Sequence, residues 1–463
     1  MQTSRNSHGA AGGWQASRRV LWSLAHPWFD TTALWTLTRW YLPLSRAWAA
    51  AGTAAGSLER FLTELPVERL KPVSRVGLMR ALERTALTKA AAEEAEVHWR
   101  SVFFASGPVE QRTLFLAERR RRTASHSYMM ARSQFALFRL ATPYPAVRYD
   151  IPSPEAGLAE LEPLLADPER AYALPPAPPI ETSHRLNGHG VAEYWLRFPS
   201  AHPDQDDVAW ARVQEPLGVE NPPSLIHVHG LGVEFESLDG IEDEVDPAVT
   251  MGCRVIRLEA LWHNRRRRPG FYGGELFLSR QPVSGIELFL SVAREVGALV
   301  EWCRLSGRGR VAIGGTSMGA LATQLTASRA GGWRPEAVPD ALWLVTTSDD
   351  VGGLAFDSAL ARAAGLSQAL ERAGWRSEHM NKLKPLGEVI SMPVVAPQDI
   401  VVVLGRRDDV TPYARGAAMV ARWGVPQENV FHSAYGHFSV PIALLGDYRP
   451  LRRLVDRLQS RSA

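Results

Sequence analysis

The sequence predicts an α/β protein in which a mostly parallel sheet lies between layers of helices and follows a helical N-terminal region. Two observations support this fold class. After residue 180, short runs rich in Val, Ile and Leu alternate with helical segments, and the later runs are almost uniformly apolar, as in strands buried on both faces. Before residue 172, Ala, Leu, Arg and Glu dominate and no strand pattern stands out.

Composition narrows the class of protein. The 463 residues are enough for a large α/β domain and a second region. The 52 basic side chains are nearly balanced by 49 acidic ones, so no nucleic-acid partner is expected. The two cysteines, Cys253 and Cys303, lie in apolar stretches, which excludes a disulfide framework and favours the reducing cytoplasm.

The N-terminal region is helical in pattern and rich in tryptophan. Six tryptophans fall within the first 48 residues, namely Trp14, Trp22, Trp28, Trp35, Trp40 and Trp48. Because indole rings favour the boundary between apolar and aqueous phases, peripheral membrane contact through residues 1–60 is one interpretation. Packing of these rings on the rest of the protein or on a second subunit is the other. Asp30, Arg39 and Arg46 interrupt every candidate membrane span, so no transmembrane helix is predicted.

The proline-rich segment LPPAPPI, residues 174–180, is typical of a stiff connector. It predicts a boundary between a helical N-terminal region, residues 1–180, and an α/β domain, residues 181–463. Eight strand runs follow it, namely VAEYWLRF, DVAWARV, SLIHVHG, CRVIRLEAL, RVAIGG, ALWLVTT, DIVVVLG and NVFHSA. The first two alternate in polarity and suit an antiparallel edge. Residues 351–395 are rich in Ala, Leu and Arg and predict a helical cap over the site.

The stretch VAIGGTSMGA contains the pattern G-x-S-x-G, with Ser317 between Gly315 and Gly319. In a nucleophile elbow, a strand turns sharply into a helix and holds the serine in a strained backbone conformation at the edge of the sheet. The glycines leave room where the strand and the helix approach each other. A glycine-rich bend without a catalytic role is the alternative, but the strand pattern before Ser317 and the helix pattern after it favour the elbow.

A nucleophilic serine needs a base, and the base needs an acid to orient it. The strand run DIVVVLG leads into a loop with Asp408 and Asp409, and Pro412 follows in the D-x-x-x-P spacing expected of an acid loop. Asp408 is therefore the predicted acid, and Asp409 is expected to cap or to face solvent. Asp349 and Asp350, after the preceding strand, are an alternative location for the acid.

The predicted base is His437, which follows Gly436 in the turn after the last strand run. The chain order serine, acid, histidine and the position of each after a strand match the order of this type of site. His432 lies within the last strand run and is expected to be a packed residue.

An oxyanion that forms during acyl transfer needs hydrogen-bond donors already in place. The N–H of Met318, directly after the serine, is one predicted donor. The N–H of Leu231 is the other, because the glycines of HVHGLG expose the backbone there. His227 and His229 also have the spacing of two metal ligands on a strand, but no further cluster has ligand spacing, so no metal is predicted and His227 is expected in the core.

The segment LEALWHNRRRRPGFYGGELFLS, after the fourth strand run, faces the edge where α/β sheets bind ligands. The candidate substrate-binding residues are His229, Gly230, His263, Arg267 and Tyr272. Arg266 or Arg267 is suited to an acidic or phosphate-bearing substrate. The alternative is that ion pairs join these arginines to the acidic segment EFESLDGIEDEVD.

Residues from about 190 to 445 resemble an α/β-hydrolase. More narrowly, HVHGLG, LEALWHNRRRRPGFYGGELFLS, GGTSMGA, GRRDDVTP and YGHFSV together resemble the alpha/beta-hydrolase-domain-containing 18 family and its bacterial relatives. The resemblance implies an α/β-hydrolase fold, a triad of Ser317, Asp408 and His437, and an acyl-ester hydrolase activity.

The residues predict a serine hydrolase that forms an acyl-enzyme on Ser317, with His437 as base and then acid and Asp408 orienting it. No cofactor is implied. The expected substrate is a small-molecule or lipid ester or thioester with a lipid-like acyl chain. One alternative is a catalytically silent hydrolase-fold protein that binds a membrane or a protein partner. Another is an enzyme that transfers the acyl group to an acceptor other than water.

Overall fold

The computed structural model describes residues 28–67, 72–202, 207–232, 243–307, 309–389 and 391–460. Two of the tryptophans singled out in the sequence, Trp14 and Trp22, lie outside the described residues. None of the helices in the described ranges combines the length and the apolar character needed to cross a bilayer. Cys253 and Cys303 are both buried and unbridged.

Helices occupy the N-terminal region up to Ala171. They are α1 (Trp28–Thr36), α2 (Leu42–Ala54), α3 (Leu58–Glu64), α4 (Pro72–Phe103), α5 (Gln111–Met130), α6 (Ala136–Ala141), α7 (Pro154–Leu165) and α8 (Pro168–Ala171). A π-helical turn, Leu37–Tyr41, joins α1 to α2, and a 3-10 turn, Ala131–Phe135, joins α5 to α6. Ser57 caps α3 by accepting a hydrogen bond from the N–H of Arg60. The helical prediction for this region is confirmed for its described residues.

Ten strands of the described part of the chain form one sheet. They are β1 (Glu181–Thr182), β2 (Leu186–Gly188), β3 (Val191–Pro199), β4 (Val208–Pro216), β5 (Ser224–Val228), β6 (Arg254–Leu258), β7 (Val311–Thr316), β8 (Ala341–Val345), β9 (Ile400–Gly405) and β10 (Val430–Ser433). The order across the sheet is β1-β3-β4-β6-β5-β7-β8-β9-β10, and β2 also pairs with β3. From β6 to β10 all neighbours are parallel, whereas β1 to β4 pair antiparallel and β4 pairs antiparallel with β6. The eight predicted strands and the antiparallel edge are confirmed.

The remaining helices cover both faces of the sheet. They are α9 (Pro247–Thr250), α10 (Glu275–Ser279), α11 (Val283–Ser306), α12 (Met318–Arg329), α13 (Val351–Asp357), α14 (Ala359–Ala364), α15 (Leu366–Arg372), α16 (Ser377–Gly387), α17 (Tyr413–Arg422), α18 (Ser439–Leu444) and α19 (Arg449–Gln459). Alternate strand residues point to opposite faces. Ile226 packs in the core with α11 and α12, whereas Leu225 packs in the core with α9 and α19. The predicted α/β architecture, a mostly parallel sheet flanked by helices, is confirmed.

Residues before the proline-rich connector share the main core with the sheet. Val147, Leu161 and Tyr172 are buried in the same cluster as residues of β3, β5 and α11. The Tyr172 hydroxyl donates to the Leu386 carbonyl at the end of α16, 2.6 Å away. A second apolar cluster, within α2 to α6, is joined by Tyr272 from the α/β part of the chain. Packing is therefore continuous across residues 174–180.

Candidate active site

The turn from β7 into α12 holds Ser317 in an unusual backbone conformation, with φ 56° and ψ −119°. The glycines on either side are required sterically. A Cβ at Gly315 would lie 2.5 Å from the Val228 carbonyl oxygen, and one at Gly319 would lie 1.9 Å from the same atom. Only glycine therefore allows β5, β7 and α12 to meet here. This strand-to-helix turn has the local geometry of a nucleophile elbow.

Three side chains form a continuous hydrogen-bond chain at the carboxyl edge of the sheet. Nε2 of His437 lies 2.8 Å from Oγ of Ser317. Nδ1 of His437 lies 2.9 Å from Oδ2 and 3.1 Å from Oδ1 of Asp408. Asp408 and His437 are both buried. The structure thus brings together the three residues that sequence order selects.

The alternative acids lie elsewhere. Asp349 accepts a hydrogen bond from Arg422 at 3.1 Å, and Asp350 pairs with Arg415 at 2.9 Å and caps α13. Asp409 is exposed, as predicted. Its pKa is raised by burial of part of the carboxyl group and by the neighbouring Asp408 carboxylate.

Asp408 is held by the loop that follows β9. Its Oδ1 accepts hydrogen bonds from the N–H groups of Val410, at 2.9 Å, and Thr411, at 2.8 Å. Its Oδ2 accepts the hydroxyl of Thr411 at 2.8 Å, and that hydroxyl oxygen lies 3.2 Å from Nδ1 of His437. Sequence reasoning missed Thr411, although an aspartate followed by a threonine three residues later is the signal of such a side-chain-to-backbone turn.

The prediction that His432 is packed is wrong. Its side chain is exposed because β10 is the last strand of the sheet and one face of its edge is open to solvent. The ring lies against Tyr413, with 5.7 Å between the ring centroids.

Two buried histidines hold the loop after β5. Nε2 of His229 accepts the Ala260 N–H at 3.2 Å, and its Nδ1 lies 2.8 Å from the Gly230 carbonyl oxygen. Nε2 of His263 accepts the Gly232 N–H at 3.3 Å. Burial lowers the pKa of His229 to about 4 and lowers that of His263 well below its ordinary value. Both rings are therefore neutral at pH 7, and both nitrogens of His229 face backbone groups rather than a metal.

Of the candidate substrate-binding residues, His229, Gly230 and Tyr272 line the cavity at Ser317. His263 does not line it. The ring lies behind the loop, and a Cβ at Gly274 would come within 2.6 Å of its Nε2. His263 is fully buried because it supports the loop from inside, and this corrects its expected contact with substrate.

The arginines after β6 do not reach the cavity either. Arg266 is buried and pairs with Glu295 at 2.7 Å and Asp207 at 2.6 Å. The guanidinium of Arg267 lies over the Trp48 ring, 4.9 Å from its centroid. Ion pairing and stacking thus occupy both side chains, so the expectation that one of them meets an acidic substrate is wrong. The ionic partners of Arg266 also differ from those expected, since Arg266 pairs with none of the described acidic residues of that segment, Asp243, Glu244 and Asp246.

A cavity of about 220 Å³ opens at Ser317. Its apolar wall comes from both parts of the chain and includes Leu37, Leu42, Leu231, Leu278, Leu360, Phe438 and Pro441. Leu360 belongs to α14, within the segment predicted as a cap. Leu37 and Leu42 belong to the N-terminal helices, and sequence reasoning missed them because no local pattern reports a contact over such a separation. A larger cavity of about 530 Å³, lined by the proline-rich connector and Arg294, does not include Ser317.

The first described helix contacts the histidine loop. Oδ1 of Asp30 accepts the N–H of Phe438 at 2.7 Å and that of Ser439 at 3.1 Å, and Oδ2 accepts the Ser439 hydroxyl. A Cβ at Gly436 would lie 2.6 Å from the Asp30 Cγ atom. The carboxylate therefore sits directly against the loop that carries His437. Within the described ranges, no three His, Cys, Asp or Glu side chains are arranged to hold a metal ion.

No protein-family model matches the chain, and no curated protein matches it. Solved structures with a similar fold include an acetyl xylan esterase from Paenibacillus sp. R4, at 14% identity and a TM-score of 0.43, covering 64% of this chain and 93% of that one. Brefeldin A esterase, described as a bacterial homologue of human hormone-sensitive lipase, matches at 17% identity and a TM-score of 0.40, covering 68% and 88%. A lipase in its open form matches at 16% identity and a TM-score of 0.39, covering 58% and 100%. At these identities and TM-scores, the similarity concerns the fold alone. The chemistry of this chain is inferred from the geometry of its own site.

Proposed function

We propose that this protein is a serine hydrolase that cleaves a carboxylic ester or thioester through an acyl-enzyme on Ser317. The observation that carries the proposal is the hydrogen-bond chain from Ser317 through His437 to Asp408. A serine hydroxyl is a weak nucleophile until a base takes its proton, and this chain supplies the base and the group that orients it. The resemblance of five segments to the alpha/beta-hydrolase-domain-containing 18 family supports the same reaction class.

In the acylation step, Oγ of Ser317 attacks the carbonyl carbon of the ester while Nε2 of His437 takes the hydroxyl proton. Asp408 keeps the proton of His437 on Nδ1 and stabilises the imidazolium that forms. The imidazolium then gives its proton to the leaving alkoxide or thiolate, and the acyl group remains on Ser317. In the deacylation step, His437 takes a proton from water, the resulting attack releases the acid, and Ser317 regains its proton.

The tetrahedral intermediate carries a negative oxygen that needs donors. Met318 is the first residue of α12, so its N–H has no acceptor within the helix and is suited to this oxygen. The N–H of Leu231 is the second proposed donor, since this residue lines the cavity in the loop that His229 and His263 hold. His229 and His263 are neutral, so they hold the loop that carries the Leu231 N–H without placing a charge near Ser317.

The volume of the cavity favours a small acyl group. At about 220 Å³, the cavity is smaller than the roughly 300–1,000 Å³ of sites for drug-sized ligands. The apolar wall favours a short hydrocarbon acyl chain. We expect activity on 4-nitrophenyl esters to peak between acetate and hexanoate and to fall for longer chains.

Labelling with a fluorophosphonate, read by intact mass, tests the reaction class. We expect one adduct on the wild-type protein and none on Ser317→Ala, with His437→Ala labelled at least about a hundredfold more slowly. Ser133→Ala, which changes an exposed serine on the N-terminal side, is the matched control and should label like the wild type. An adduct that persists in Ser317→Ala would contradict the assignment of the nucleophile. A folded wild-type protein that takes no label would favour a silent hydrolase-fold protein.

We also propose peripheral membrane contact through the N-terminal segment, within residues 1–60. Two exposed indoles on α1 support it, since Trp28 is 75% and Trp35 is 55% exposed. Sedimentation of the full chain with vesicles of phosphatidylcholine and phosphatidylglycerol should show binding that falls in the double variant Trp28→Ala, Trp35→Ala. The matched control is Leu137→Ala, Leu140→Ala, which removes exposed apolar side chains from α6. Equal loss in both double variants, or no binding by the wild type, would contradict the proposal.

A further inference from the structure

The cavity at Ser317 has a polar wall that the proposed reaction does not use. Glu244 and Asp243 line the cavity, together with His227 and Thr316, the residue before the nucleophile. The Thr316 hydroxyl donates to Oε1 of Glu244, so the carboxylate is fixed beside the elbow. Glu244 follows the loop after β5 and has no role in the chain of Ser317, His437 and Asp408.

The two carboxylates of this wall differ in their counterions. Arg257 binds both oxygens of Asp243, at 2.7 Å and 2.9 Å, and also reaches Asp246 at 2.7 Å. Among the described residues, Glu244 forms no direct ion pair with an arginine or lysine, although the nearby Arg257 guanidinium interacts with it electrostatically. The imidazole of His227 lies nearer, with 3.5 Å between Nε2 of His227 and Oε1 of Glu244. The Asp243 carboxylate is therefore held in a direct ion pair, whereas the Glu244 carboxylate is held by a hydroxyl group.

His227 adds an independent observation. The side chain is only 4% exposed, lines the same cavity, and its Nε2 makes no hydrogen bond with any described group. The 3.5 Å separation from Glu244 is close enough for attraction but does not have hydrogen-bond geometry. A buried ring nitrogen without a partner costs free energy unless a ligand or water satisfies it. The nitrogen and the Glu244 carboxylate thus leave two polar groups facing one small space beside Ser317.

The charged side chains that line the cavity are both acidic, and one of them, Asp243, is paired with Arg257 behind the wall. Among the described residues that line it there are two carboxylates and no lysine or arginine. Of the arginines suited to a phosphate, Arg266 instead forms ion pairs and Arg267 stacks on Trp48. A phosphate-bearing or anionic ester would meet repulsion here, and a positively charged group would be attracted in a site of reduced dielectric constant.

We propose that Glu244 and His227 form a subsite for an ammonium group, and that the preferred esters carry such a group within a few bonds of the scissile carbonyl. An N–H of the ammonium would donate to the Glu244 carboxylate or to Nε2 of His227, while the hydrocarbon part of the ester packs on the leucine wall. This proposal rests on the proposed serine hydrolase function, because it assigns the specificity of the same cavity.

Two acetate esters of matched shape test the subsite. They are 2-(dimethylamino)ethyl acetate, which is protonated at neutral pH, and 3-methylbutyl acetate, its uncharged carbon isostere. Each is measured as a substrate and, independently of turnover, as a protectant of Ser317 against fluorophosphonate labelling. We expect the wild type to prefer the ammonium ester by about tenfold or more in kcat/KM and in protection. The preference should fall to about twofold or less in Glu244→Gln, which retains an oxygen to accept from Thr316.

The matched control is Glu378→Gln, which removes the same charge from an exposed site on α16 and should keep the wild-type preference. Wild-type protein that is labelled but shows equal kcat/KM and equal protection for the two esters would overturn the subsite and leave the serine hydrolase intact. A preference that survives in Glu244→Gln would overturn the role of Glu244. Wild-type protein that takes no label would overturn the subsite together with the proposed function.

Discussion

Thr411 links the acid and the base of the site through a single hydroxyl group. The hydroxyl donates to Asp408 and its oxygen lies 3.2 Å from Nδ1 of His437. Three donors, two N–H groups and this hydroxyl, therefore fix the carboxylate against the imidazole. The orientation of His437 depends on this network because an imidazole can also rotate or exchange its proton between its two nitrogens.

We predict that Thr411→Val lowers kcat by about tenfold, since a hydrogen bond to a charged group contributes about 1.5–3 kcal/mol. KM should change by less than about threefold, because Thr411 does not line the cavity. Steady-state kinetics on 4-nitrophenyl acetate measure both values. The matched control is Thr326→Val, which removes a buried hydroxyl bonded to the Ala322 carbonyl within α12. A kcat for Thr411→Val equal to that of the control would contradict a positioning role.

At the scale of single residues, sequence order selects the three members of the hydrogen-bond chain because each follows a strand at the same edge of the sheet. The same reasoning does not find Glu244 or Asp30. Glu244 contacts Thr316, 72 positions away, and Asp30 contacts Phe438 and Ser439, 408 and 409 positions away. Such contacts depend on the path of the chain in space, which periodicity does not report.

The elbow is the element on which the whole site depends. β5, β7 and α12 approach so closely at Gly319 that a methyl group would overlap the backbone of Val228. A flexible side chain can move away from such a contact, but the backbone of a central strand cannot.

We predict that Gly319→Ala lowers the free energy of unfolding by about 3 kcal/mol or more, since overpacking against backbone lies at the upper end of such effects. Urea unfolding followed by tryptophan fluorescence measures it. Gly332→Ala is the matched control, because a Cβ there meets no atom within 4 Å. That variant should lie within about 0.5 kcal/mol of the wild type. Similar stabilities for the two variants would show that α12 can shift away from β5.

Helix α1 is a second element that bears on the site. Asp30 accepts two N–H groups and one hydroxyl at the start of α18, directly after His437. In this position the carboxylate caps a helix and fixes the turn that carries the base.

We predict that Asp30→Asn lowers kcat by about fivefold to tenfold and increases cleavage of the N-terminal segment by a protease, since the weaker cap loosens both sides of the contact. The control is Asp167→Asn, which changes the same type of cap at α8, where Asp167 accepts the N–H of Arg170 at 3.0 Å. Unchanged kcat with faster proteolysis would restrict Asp30 to anchoring α1.

At the element scale, the eight long strands are predictable because buried parallel strands read as apolar runs. The short strands β1 and β2 are not, since two or three exposed residues at the edge carry no pattern. The exposure of His432 could not be predicted either, because the sequence of β10 does not indicate that this strand is the last of the sheet.

The whole molecule is held together by contacts between the helical region and the sheet. Arg265 lies over Trp195, 4.1 Å from the ring centroid, and over Trp99 of α4, 5.1 Å away. It also pairs with Glu259 next to β6 and with Glu96 of α4, the latter at 3.0 Å. Composition predicts a boundary near residue 180 between a helical region and an α/β domain. These contacts cross that boundary and join residues that lie far apart in the chain, so composition does not indicate them.

Stability of the whole molecule should depend on pH through the buried histidines. In the folded state the pKa of His229 is about 4, lowered by burial, whereas an unfolded histidine has a pKa of about 6.5. Between these values the unfolded chain binds a proton that the folded protein does not. The contribution of His229 to the free energy of unfolding is therefore fully present above pH 6.5 and is lost as the pH drops toward 4. For His229 alone the loss is about 3 kcal/mol, and the lowered pKa of His263 adds to it in the same direction.

We predict that urea unfolding at a series of pH values from 7.5 to about 4.5 shows this loss, and that His229→Gln reduces the slope. Glutamine can accept the Ala260 N–H and donate to the Gly230 carbonyl, as His229 does, but it does not titrate. His98→Gln, an exposed site on α4, is the control and should keep the slope of the wild type. Carboxylates whose pKa is lowered by an ion pair in the folded protein, such as Asp243 beside Arg257, contribute to the pH dependence below this window. If stability falls with pH as steeply in His229→Gln as in the wild type, the prediction is contradicted. The His229 ring of the wild type would then gain its proton in the folded protein, which requires the loop after β5 to open near pH 5.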